Sequence, residues 1–559
     1  MSEPELPITP CARGAAAVGA SSVLAACGGG GAADTPAAAA PAPSGGQAAP
    51  VAVTDARAAR FLVQSSTGFA RGDIDRVRTL GYAGWLDEQF SMPRGRTRWD
   101  WLIEKGYDAA TYRNGQNGFD AVAWRHLIAS PDTLRQRLTL ALSEIVVVGL
   151  DGVNTVWRAF AGAAWLDLLE SHAFGNVRGL LQDVSTSLQM GVYLTYRGNS
   201  KANAATGTVP DENYARELMQ LFTIGLTELN EDGTPRLVGG QPVETYGQDD
   251  ITGLARVFTG WDQDLAGGNT DRPDYHRRPM TQVAARYETG AKTFLGITVP
   301  AGATAMAGLT AALDRLFAHP NIGPFWARQL IQRLVTSNPS PAYVQRVARV
   351  FANDGQGVRG NLRAVVRAIL LDDEARSDAS LSSTTAGKLR EPILRLTAWA
   401  RAFGATSPSD AWAIGITSNP GTALGQSPLR SPSVFNFFRP GYVPPGSSLA
   451  ALGLVAPEFQ IANESSVVGY LNYMQTTIAS GRGDVRADYT SWVPLADDPP
   501  ALVAQLDLLL AGGQLETSTR SMIATTVGAM TTGSDTARRN RLYAAILLVM
   551  ASPEFLVPR

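Results

Sequence analysis

Cysteine is nearly absent from this chain of 559 residues, and its absence excludes several kinds of site. The two cysteines, Cys11 and Cys27, both lie within the first 27 residues. The remainder therefore has no disulfide, no thiolate nucleophile and no cysteine ligand for a metal ion.

Histidine is scarce as well. The four histidines do not show the helical-turn spacing of a zinc motif, and we expect packing or capping roles for His126, His172 and His319. We keep His276 as a candidate binding residue, because the loop "DYHRRPM" places it beside two arginines. The sequence also lacks G-x-S-x-G, P-loop and dinucleotide-binding motifs. We therefore predict no metal and no cofactor.

Strong net charge and long apolar runs are missing too. A formal net charge of −2 argues against nucleic acid or an anionic membrane surface as a partner. No stretch reaches the roughly 18 apolar residues needed to cross a bilayer. The most apolar candidate, residues 138–150, is too short and contains Glu144. We expect a membrane association only through a lipid anchor.

The N-terminal residues suggest such an anchor. Residues 1–27 resemble a degenerate lipoprotein-type or twin-arginine-like leader, in which "LAAC" predicts acylation of Cys27. Residues 28–53 are rich in Ala, Gly and Pro and are predicted to be a flexible tether. Against export, Glu3 and Glu5 stand where a basic start is expected, so a disordered terminus with a chance LAAC is the alternative. The favoured location is extracytoplasmic, in the cell envelope or periplasm.

From Thr54 onward, apolar residues recur mainly at helical spacing, which predicts a mainly α fold. We expect one large helical domain over 54–559, or two packed lobes that divide near 405–450. The sequence predicts helices over 74–90, 131–145, 156–173, 304–318, 322–336, 341–353, 361–373, 387–403, 499–511, 517–531 and 536–551.

The exceptions to helical spacing are few. Gly239-Gly240 between short extended arms predicts one β-hairpin. Two Pro/Gly-rich segments, 262–303 and 405–448, are predicted to be long loops, and loops of this length usually carry function or cover a surface.

The stretch "DENYARELMQLFTIGL", residues 211–226, is the densest polar segment. Asp211 is predicted to cap a helix, Glu212 to pair with Arg216 one turn later, and Gly225 to end the helix. None of these helix-stabilising roles requires the polar side chains of Asn213 and Glu217. An amide and a carboxylate one turn apart can bind a hydroxyl, position a water or ligate a hard cation, although simple helix building remains the alternative.

A weaker pattern follows directly. Glu228, Asn230 and Asp232 alternate before Gly233, as in the first half of a calcium loop. The twelfth position is Gly239 rather than a bidentate acid, so a polar turn leading into the hairpin is the favoured interpretation and calcium the minor one.

Several motifs together resemble a known family. They are "ARFLVQSSTG", "GYAGWLDEQF", "MGVYLTYRGNSKAN", "ENYARELMQLFTIGL", "DDITGLARVFTGW", "GAKTFLG" and "RSPSVFNFFRPGYVP", in this order. From about residue 55 to the C-terminus the sequence resembles the bacterial family named domain of unknown function 1800. The resemblance implies export, often through a twin-arginine leader. It also implies a possible partner, the exported sulfatase-like family named domain of unknown function 1501, but no reaction.

The chain departs from that family at positions of interest. Many members carry Trp-His-Asn-His where this chain has residues 142–145, a histidine near Ser187, and another at Tyr287. If these histidines bind a metal ion in other members, this chain lacks the ligands for it. The polar residues that this chain retains are Asn199, Lys201, Asn213, Arg216, Glu217, Asp249, Asp250, Arg256, Trp261 and Lys292.

Two functional hypotheses remain. The first is a non-enzymatic, lipid-anchored protein that binds an envelope polymer or the sulfatase-like partner. The second is a hydrolase or lyase acting on an extracytoplasmic polymer, with Glu217 as general base and Arg216 or Lys292 stabilising developing negative charge. The binding residues proposed for either are Asn199, Lys201, Asn213, Asp249, Asp250 and His276.

Overall fold

Helices make up most of the chain that the computed structural model describes, residues 53–559. The mainly α prediction is confirmed, whereas the predicted leader, Cys27 and nearly all of the tether lie outside the described residues. The helices of the first half are α1 Asp55–Ser65, α2 Arg71–Ser91, α3 Arg98–Glu104, α4 Phe119–Ala129, α5 Thr133–Ile145, α6 Arg158–His172, α7 Val177–Thr186, α8 Leu188–Tyr193, α9 Asn213–Glu217 and α10 Gln248–Ala255.

The helices of the second half complete the body. They are α11 Ala305–Ala318, α12 Ile322–Leu334, α13 Pro341–Ala352, α14 Leu362–Leu371, α15 Asp373–Arg376, α16 Pro392–Ala402, α17 Ser448–Ala451, α18 Glu464–Ser480, α19 Pro499–Leu506, α20 Thr517–Gly528, α21 Asp535–Ala551 and α22 Pro553–Leu556. None of the helices in residues 53–559 combines the length and apolarity needed to span a bilayer.

Local sequence explains where many of these helices begin. Ser340 accepts the amide of Tyr343 and precedes Pro341, so α13 starts with a capping hydroxyl and a proline at its first position. Ser534 caps α21 in the same way. Both helices begin within one residue of the predicted position. Such starts can be predicted from sequence because a capping hydroxyl binds an amide only three residues later.

Two other helices, each with a proline near its first residue, begin later than predicted. Helix α5 begins at Thr133, so Pro131 lies before the cap residue Asp132 and not at the first helical position. Helix α16 begins only at Pro392, five residues later than predicted. A residue before proline is driven out of the helical region, and Glu391 is accordingly extended, with ψ 144°. Residues 388–391 are thus buried in the core without belonging to a helix or a strand.

The predicted hairpin is present, but it is not alone. Strand β1 Leu237–Val238 pairs with β2 Gln241–Pro242, and the two glycines between them have φ of 59° and 80°, as a tight hairpin turn requires. Two more antiparallel pairs occur, β3 Trp261–Asp262 with β4 Thr281–Gln282 and β5 Lys292–Phe294 with β6 Ile297–Val299. The expectation of a single hairpin was therefore wrong, because strands of two or three residues are too short to show an alternating pattern.

The second predicted loop lies partly inside the body. Residues 52–559 form one compact unit, and the segment 407–447 contributes neither helix nor strand to it. Thr417, Gln426 and Ser427 in this segment are nevertheless fully buried. The side-chain oxygen of Gln426 accepts the amide of Ile393 at the start of α16 (3.1 Å). The segment therefore packs on α16 as part of the core.

Candidate functional site

The polar helix predicted from residue 211 onward is shorter and more irregular than expected. Helix α9 ends at Glu217 and continues as a π-helical turn, Leu218–Thr223. The hydroxyl of Thr223 donates to the carbonyl of Leu218 (2.6 Å) and so bonds across this wider turn. π-Helical turns are frequent at functional sites. Gly225, with φ 73°, ends the segment as predicted.

Two of the candidate binding residues meet where this helix begins. Asp211 accepts the amide of Asn213 (2.8 Å), while the amide of Asp211 donates to the side chain of Asn199 (2.9 Å). The exposed Asn213 side chain donates to Thr195 (3.4 Å), whose hydroxyl donates to Asp211 (2.8 Å). These polar groups bond one another and tie the preceding loop to the helix.

Glu217 differs from them because it is buried. Its side chain is 8% exposed, and Oε2 has no hydrogen-bond partner in the described chain. Burial raises the pKa of this carboxyl, against the neighbouring charge of Arg216. Arg216 itself pairs with Glu212 (3.3 Å). Glu217 thus has the raised pKa that a carboxylate base requires.

Lys201, Asp249, Asp250 and Lys292 form no hydrogen bond or ion pair with Glu217 in the described chain. Lys292 is fully buried on β5, where its ammonium group donates to the carbonyl of Gly290 (3.1 Å) and lies 4.6 Å from the ring centre of Tyr287. Asp250 accepts the amide of Leu295 (2.6 Å). Asp249 and Lys201 are exposed. No hydrogen bond or ion pair in residues 53–559 joins Lys292 to Glu217.

The oxygens of the calcium-like pattern bond to protein groups. Glu228 forms an ion pair with Arg236. Asn230 donates to the hydroxyl of Thr234 (3.0 Å), and Asp232 accepts the amide of Thr234 (2.9 Å). They form a polar turn that precedes β1. Within residues 53–559, no group of three or more His, Cys, Asp or Glu side chains is arranged to hold a metal ion.

Sequence reasoning missed a cluster of charged side chains in the interior. Glu144, Lys388, Glu391 and Glu458 are each 6% exposed or less. The ammonium group of Lys388 lies 2.9 Å from Glu458 and 3.5 Å from Glu391. Arg333 donates to the carbonyl oxygen of Glu144 (2.8 Å), and its Nε lies 3.7 Å from the carboxyl of that residue. We call Glu144, Arg333, Lys388, Glu391 and Glu458 the buried cluster.

Two carboxyl groups of the buried cluster form a pair. Glu144 and Glu391 influence each other's ionisation, and neither carboxyl oxygen of Glu144 has a hydrogen-bond partner in the described chain. Burial raises the pKa of Glu144 well above its ordinary value, and the charge of Glu391 adds to this. Burial opposes ionisation of Glu391 too, but the charge of Lys388 and a hydrogen bond from Gln426 (2.9 Å) lower its pKa. Glu144 is thus the acid of the pair and Glu391 the carboxylate.

Glu144 also reaches two cavities. The larger, of about 500 Å³, is lined by residues of α5 and α12 and by segment 434–443. We call it the Glu144 cavity. The smaller, of about 10 Å³, also contains Ser431 and Asn436, whose Oγ and Nδ2 atoms are buried and have no partner in the described chain. This chamber has room for about one water molecule, with polar groups to bind it.

The sequence carried one signal of this arrangement. Glu144 interrupts an apolar run within α5, every residue of which is buried. A carboxylate in such a run is almost never buried without a partner. The partners, however, lie more than 180 residues away in the chain and could not be recognised from spacing.

The family model described as "Protein of unknown function (DUF1800)" matches residues 60–557. The chain belongs to this family. No curated protein and no solved structure gives a match. Membership in DUF1800 therefore confirms the predicted family and assigns no activity.

The three positions at which the family resemblance implies histidines in other members do not line one common cavity. Glu144, within the segment 142–145, lines the Glu144 cavity. Ser187 lines a different cavity, which shares no residue with the first. Tyr287 lines neither and packs against Lys292.

Proposed function

We propose that this DUF1800 protein is an envelope hydrolase in which Glu144 is the acid–base residue and the Glu144 cavity receives an extracytoplasmic polymer. One observation carries the proposal: a buried carboxyl group with a raised pKa, whose oxygens have no hydrogen-bond partner in the described chain, lines a cavity of about 500 Å³. Carboxyl groups with a pKa raised by burial are a recurrent acid–base device in enzymes.

The number of carboxyl groups at the cavity limits the reaction. Glycosidic bonds are usually cleaved by two carboxyl groups that flank the bond from opposite sides. Among the described residues, Glu144 is the only Asp or Glu that lines the Glu144 cavity, and Glu391 does not line it. This arrangement supports the hydrolysis of an ester or amide by a single acid–base group.

The step balances without a cofactor. Glu144, which holds the proton, gives it to the leaving oxygen or nitrogen as a water oxygen attacks the carbonyl carbon of the substrate and the carbon–heteroatom bond breaks. The proton released by the attacking water then returns to Glu144, which restores the acid. The exposed Arg439 lines the cavity and stacks on Phe435 (4.6 Å), where it can stabilise the developing oxyanion.

The test is a pair of isosteric substitutions, Glu144→Gln and Glu391→Gln. The probes are p-nitrophenyl acetate and envelope fractions of the native host, assayed for newly released carboxyl groups. We expect Glu144→Gln to lower turnover at least 100-fold while the protein stays folded. The control Glu88→Gln, at a partly exposed residue that pairs with Arg76, should keep wild-type turnover. Folded Glu144→Gln with undiminished turnover, or a wild-type protein inert on every probe, would refute the hydrolase.

The proposed location is the envelope, through a lipid on Cys27. It is supported by the "LAAC" sequence and by the Ala/Gly/Pro-rich residues that follow. In cells fed a radiolabelled fatty acid, we expect the label on the wild-type protein and none on Cys27→Ser. Equal labelling of both proteins would exclude this anchor.

A second candidate function is non-catalytic binding of a secreted partner, such as the sulfatase-like protein of the family named domain of unknown function 1501. Leu452, Phe459, Val467 and Val468 are apolar yet 37% to 64% exposed. Exposed apolar groups in one region often mark an interaction surface. The amide of Ala456 donates to Tyr442, which lines the Glu144 cavity (2.8 Å).

Affinity capture from the native envelope, followed by mass spectrometry, tests this candidate. We expect wild-type protein to retain the sulfatase-like protein and the double variant Val467→Asp, Val468→Asp to lose it. Met522→Asp, at an exposed residue of α20, is the matched control and should retain it. Failure of the wild-type protein to retain that partner would exclude it.

A further inference from the structure

A second cavity, of about 400 Å³, lies where α3, α6 and α8 meet the turn Pro273–Arg277. Its lining includes Trp99, Asp183, Gln189, His276 and Arg278. It shares no lining residue with the Glu144 cavity. We call it the His276 cavity, and its chemistry is independent of the proposed hydrolase.

The protonation of His276 follows from one contact. Its Nε2 atom lies 2.9 Å from the carbonyl oxygen of Val156, and a carbonyl only accepts, so Nε2 carries the proton. Burial lowers the pKa of His276 to about 4, so the ring is neutral at pH 7. Nδ1 therefore presents a lone pair.

That lone pair has no partner. His276 is 3% exposed, and its Nδ1 is buried without a hydrogen-bond donor in the described chain. The His276 ring packs against the Tyr275 ring (4.2 Å between centres). The side chain of Gln189 donates to the backbone carbonyl oxygen of His276 (2.9 Å), so this residue is held in place. Because His276 is one of the residues that line the cavity, a ligand hydroxyl that enters beside the ring can donate to this unpartnered acceptor.

The arginines of this cavity differ in what they already bind. Arg94 pairs with Glu170 (3.2 Å), and Arg277 pairs with Asp274 (3.0 Å) while lying over the Trp99 ring. Arg278 forms no ion pair within the described residues. Its only polar side-chain contact there is 3.4 Å from Nη1 to the carbonyl of Asp264. Its guanidinium can therefore accept an anion.

We propose that the His276 cavity binds an acidic sugar, with a ligand hydroxyl donating to Nδ1 of His276 and a carboxylate or sulfate ester pairing with Arg278. The two residues are separated by one position in the chain and line the same cavity, so a ligand the size of one sugar can reach both. The lining carboxylates Asp100 and Asp183 can accept further hydroxyls. Asp183 already binds His172 (2.7 Å).

Calorimetric titration of the full-length protein tests the site. The probes are glucuronate and glucose 6-sulfate, which distinguish a carboxylate from a sulfate ester, with glucose as the neutral control. We expect at least one acidic probe to bind saturably, with its affinity lowered at least tenfold by Arg278→Gln and by His276→Phe. Arg272→Gln, at an exposed arginine of the same segment, is the control and should bind as the wild type does.

A second measurement does not depend on variants. Protein labelled with ¹⁵N-histidine has only four imidazoles, and the acidic probe should shift the Nδ1 resonance of His276 alone, as a new hydrogen bond does. The proposal is refuted if neither acidic probe binds, if glucose binds equally well, or if the probe leaves Nδ1 of His276 unshifted. Any of these results leaves the role of Glu144 untouched, since the cavities are separate.

Discussion

Lys388 and Glu458 form an ion pair inside the protein, with the ammonium nitrogen 2.9 Å from a carboxylate oxygen and both side chains at least 94% buried. The same ammonium lies 3.5 Å from Glu391. One lysine is thus shared by two buried carboxyl groups. This is a strong constraint, because a buried charge without its partner is costly.

Removing this lysine is expected to destabilise the fold. Lys388→Met keeps the aliphatic stem but leaves Glu391 and Glu458 without their cation, and we expect a loss of about 3–5 kcal/mol of unfolding free energy. Urea denaturation measures it. The control Lys105→Met removes a half-exposed pair with Asp410 and should cost less than about 1 kcal/mol.

Two further substitutions show whether Lys388→Met destabilises the fold through lost charge or through lost packing. Adding Glu391→Gln and Glu458→Gln to Lys388→Met removes the two uncompensated charges, and we expect part of the lost stability to return. A Lys388→Met protein within about 1 kcal/mol of the wild type would contradict the role of this lysine.

The raised pKa of Glu144 predicts a pH-dependent effect of Glu144→Gln. Below about pH 4 the carboxyl is protonated in both the folded and the unfolded chain. As pH rises above the unfolded pKa, the unfolded chain releases a proton that the folded protein retains, so the wild type loses up to about 1.4 kcal/mol per pH unit until the folded pKa is reached. Glutamine does not titrate.

We therefore expect Glu144→Gln to gain stability relative to the wild type as pH rises from 4 to 8. Melting temperatures of the two proteins across this range provide the check. A difference that stays constant with pH would mean that Glu144 is already ionised in the folded protein.

For the buried His276 we expect the opposite pH dependence of the unfolding free energy. Burial lowers its folded pKa to about 4 from an ordinary value near 6.5, so its contribution is complete above about pH 6.5 and is lost as pH falls toward 4. His126, with a pKa lowered well below its ordinary value by burial, acts in the same direction. We expect His276→Asn to reduce the fall in unfolding free energy between pH 6.5 and 4, measured by denaturant titration. An unchanged slope would contradict a neutral, buried His276.

Glu217→Gln tests the base predicted from the sequence. Because burial raises the pKa of Glu217 and Oε2 has no partner, a neutral amide fits its surroundings, and we expect unchanged or slightly higher melting temperature at pH 7. Glu217 does not line the Glu144 cavity, so turnover that depends on Glu144 should persist. Unchanged melting with lost turnover would instead make Glu217 the base.

Local sequence predicted the parts of the fold that depend on near neighbours. The helix starts at Ser340 and Ser534 depend on hydroxyls three residues from the amides that they bind. The hairpin at Gly239-Gly240 depends on two residues with positive φ. The predicted pair of Glu212 with Arg216 is also present. The cap residue of α9 is Glu212 and not Asp211, although Asp211 accepts the amide of Asn213. The π-helical turn after Glu217 and the short strands in 262–303 have no comparable local signal.

The candidate site depended on contacts that spacing does not reveal. From sequence, Asn213 is a free polar residue of a helix mouth, but in the structure its amide and side chain bond to Asp211 and Thr195. Conversely, the sequence shows Glu144 only as an interruption of an apolar run. The structure adds that burial and the charge of Glu391 raise its pKa.

The sequence alone determined a mainly α body, its caps, its glycine hairpin and its family, because these follow from contacts within a few residues and from ordered motifs. Only the tertiary structure decided that Glu144, Lys388, Glu391 and Glu458 meet in the interior, and that Nδ1 of His276 is left without a donor. Both depend on packing between segments far apart in the chain, where burial fixes which charges neutralise one another and which polar atoms remain for a ligand.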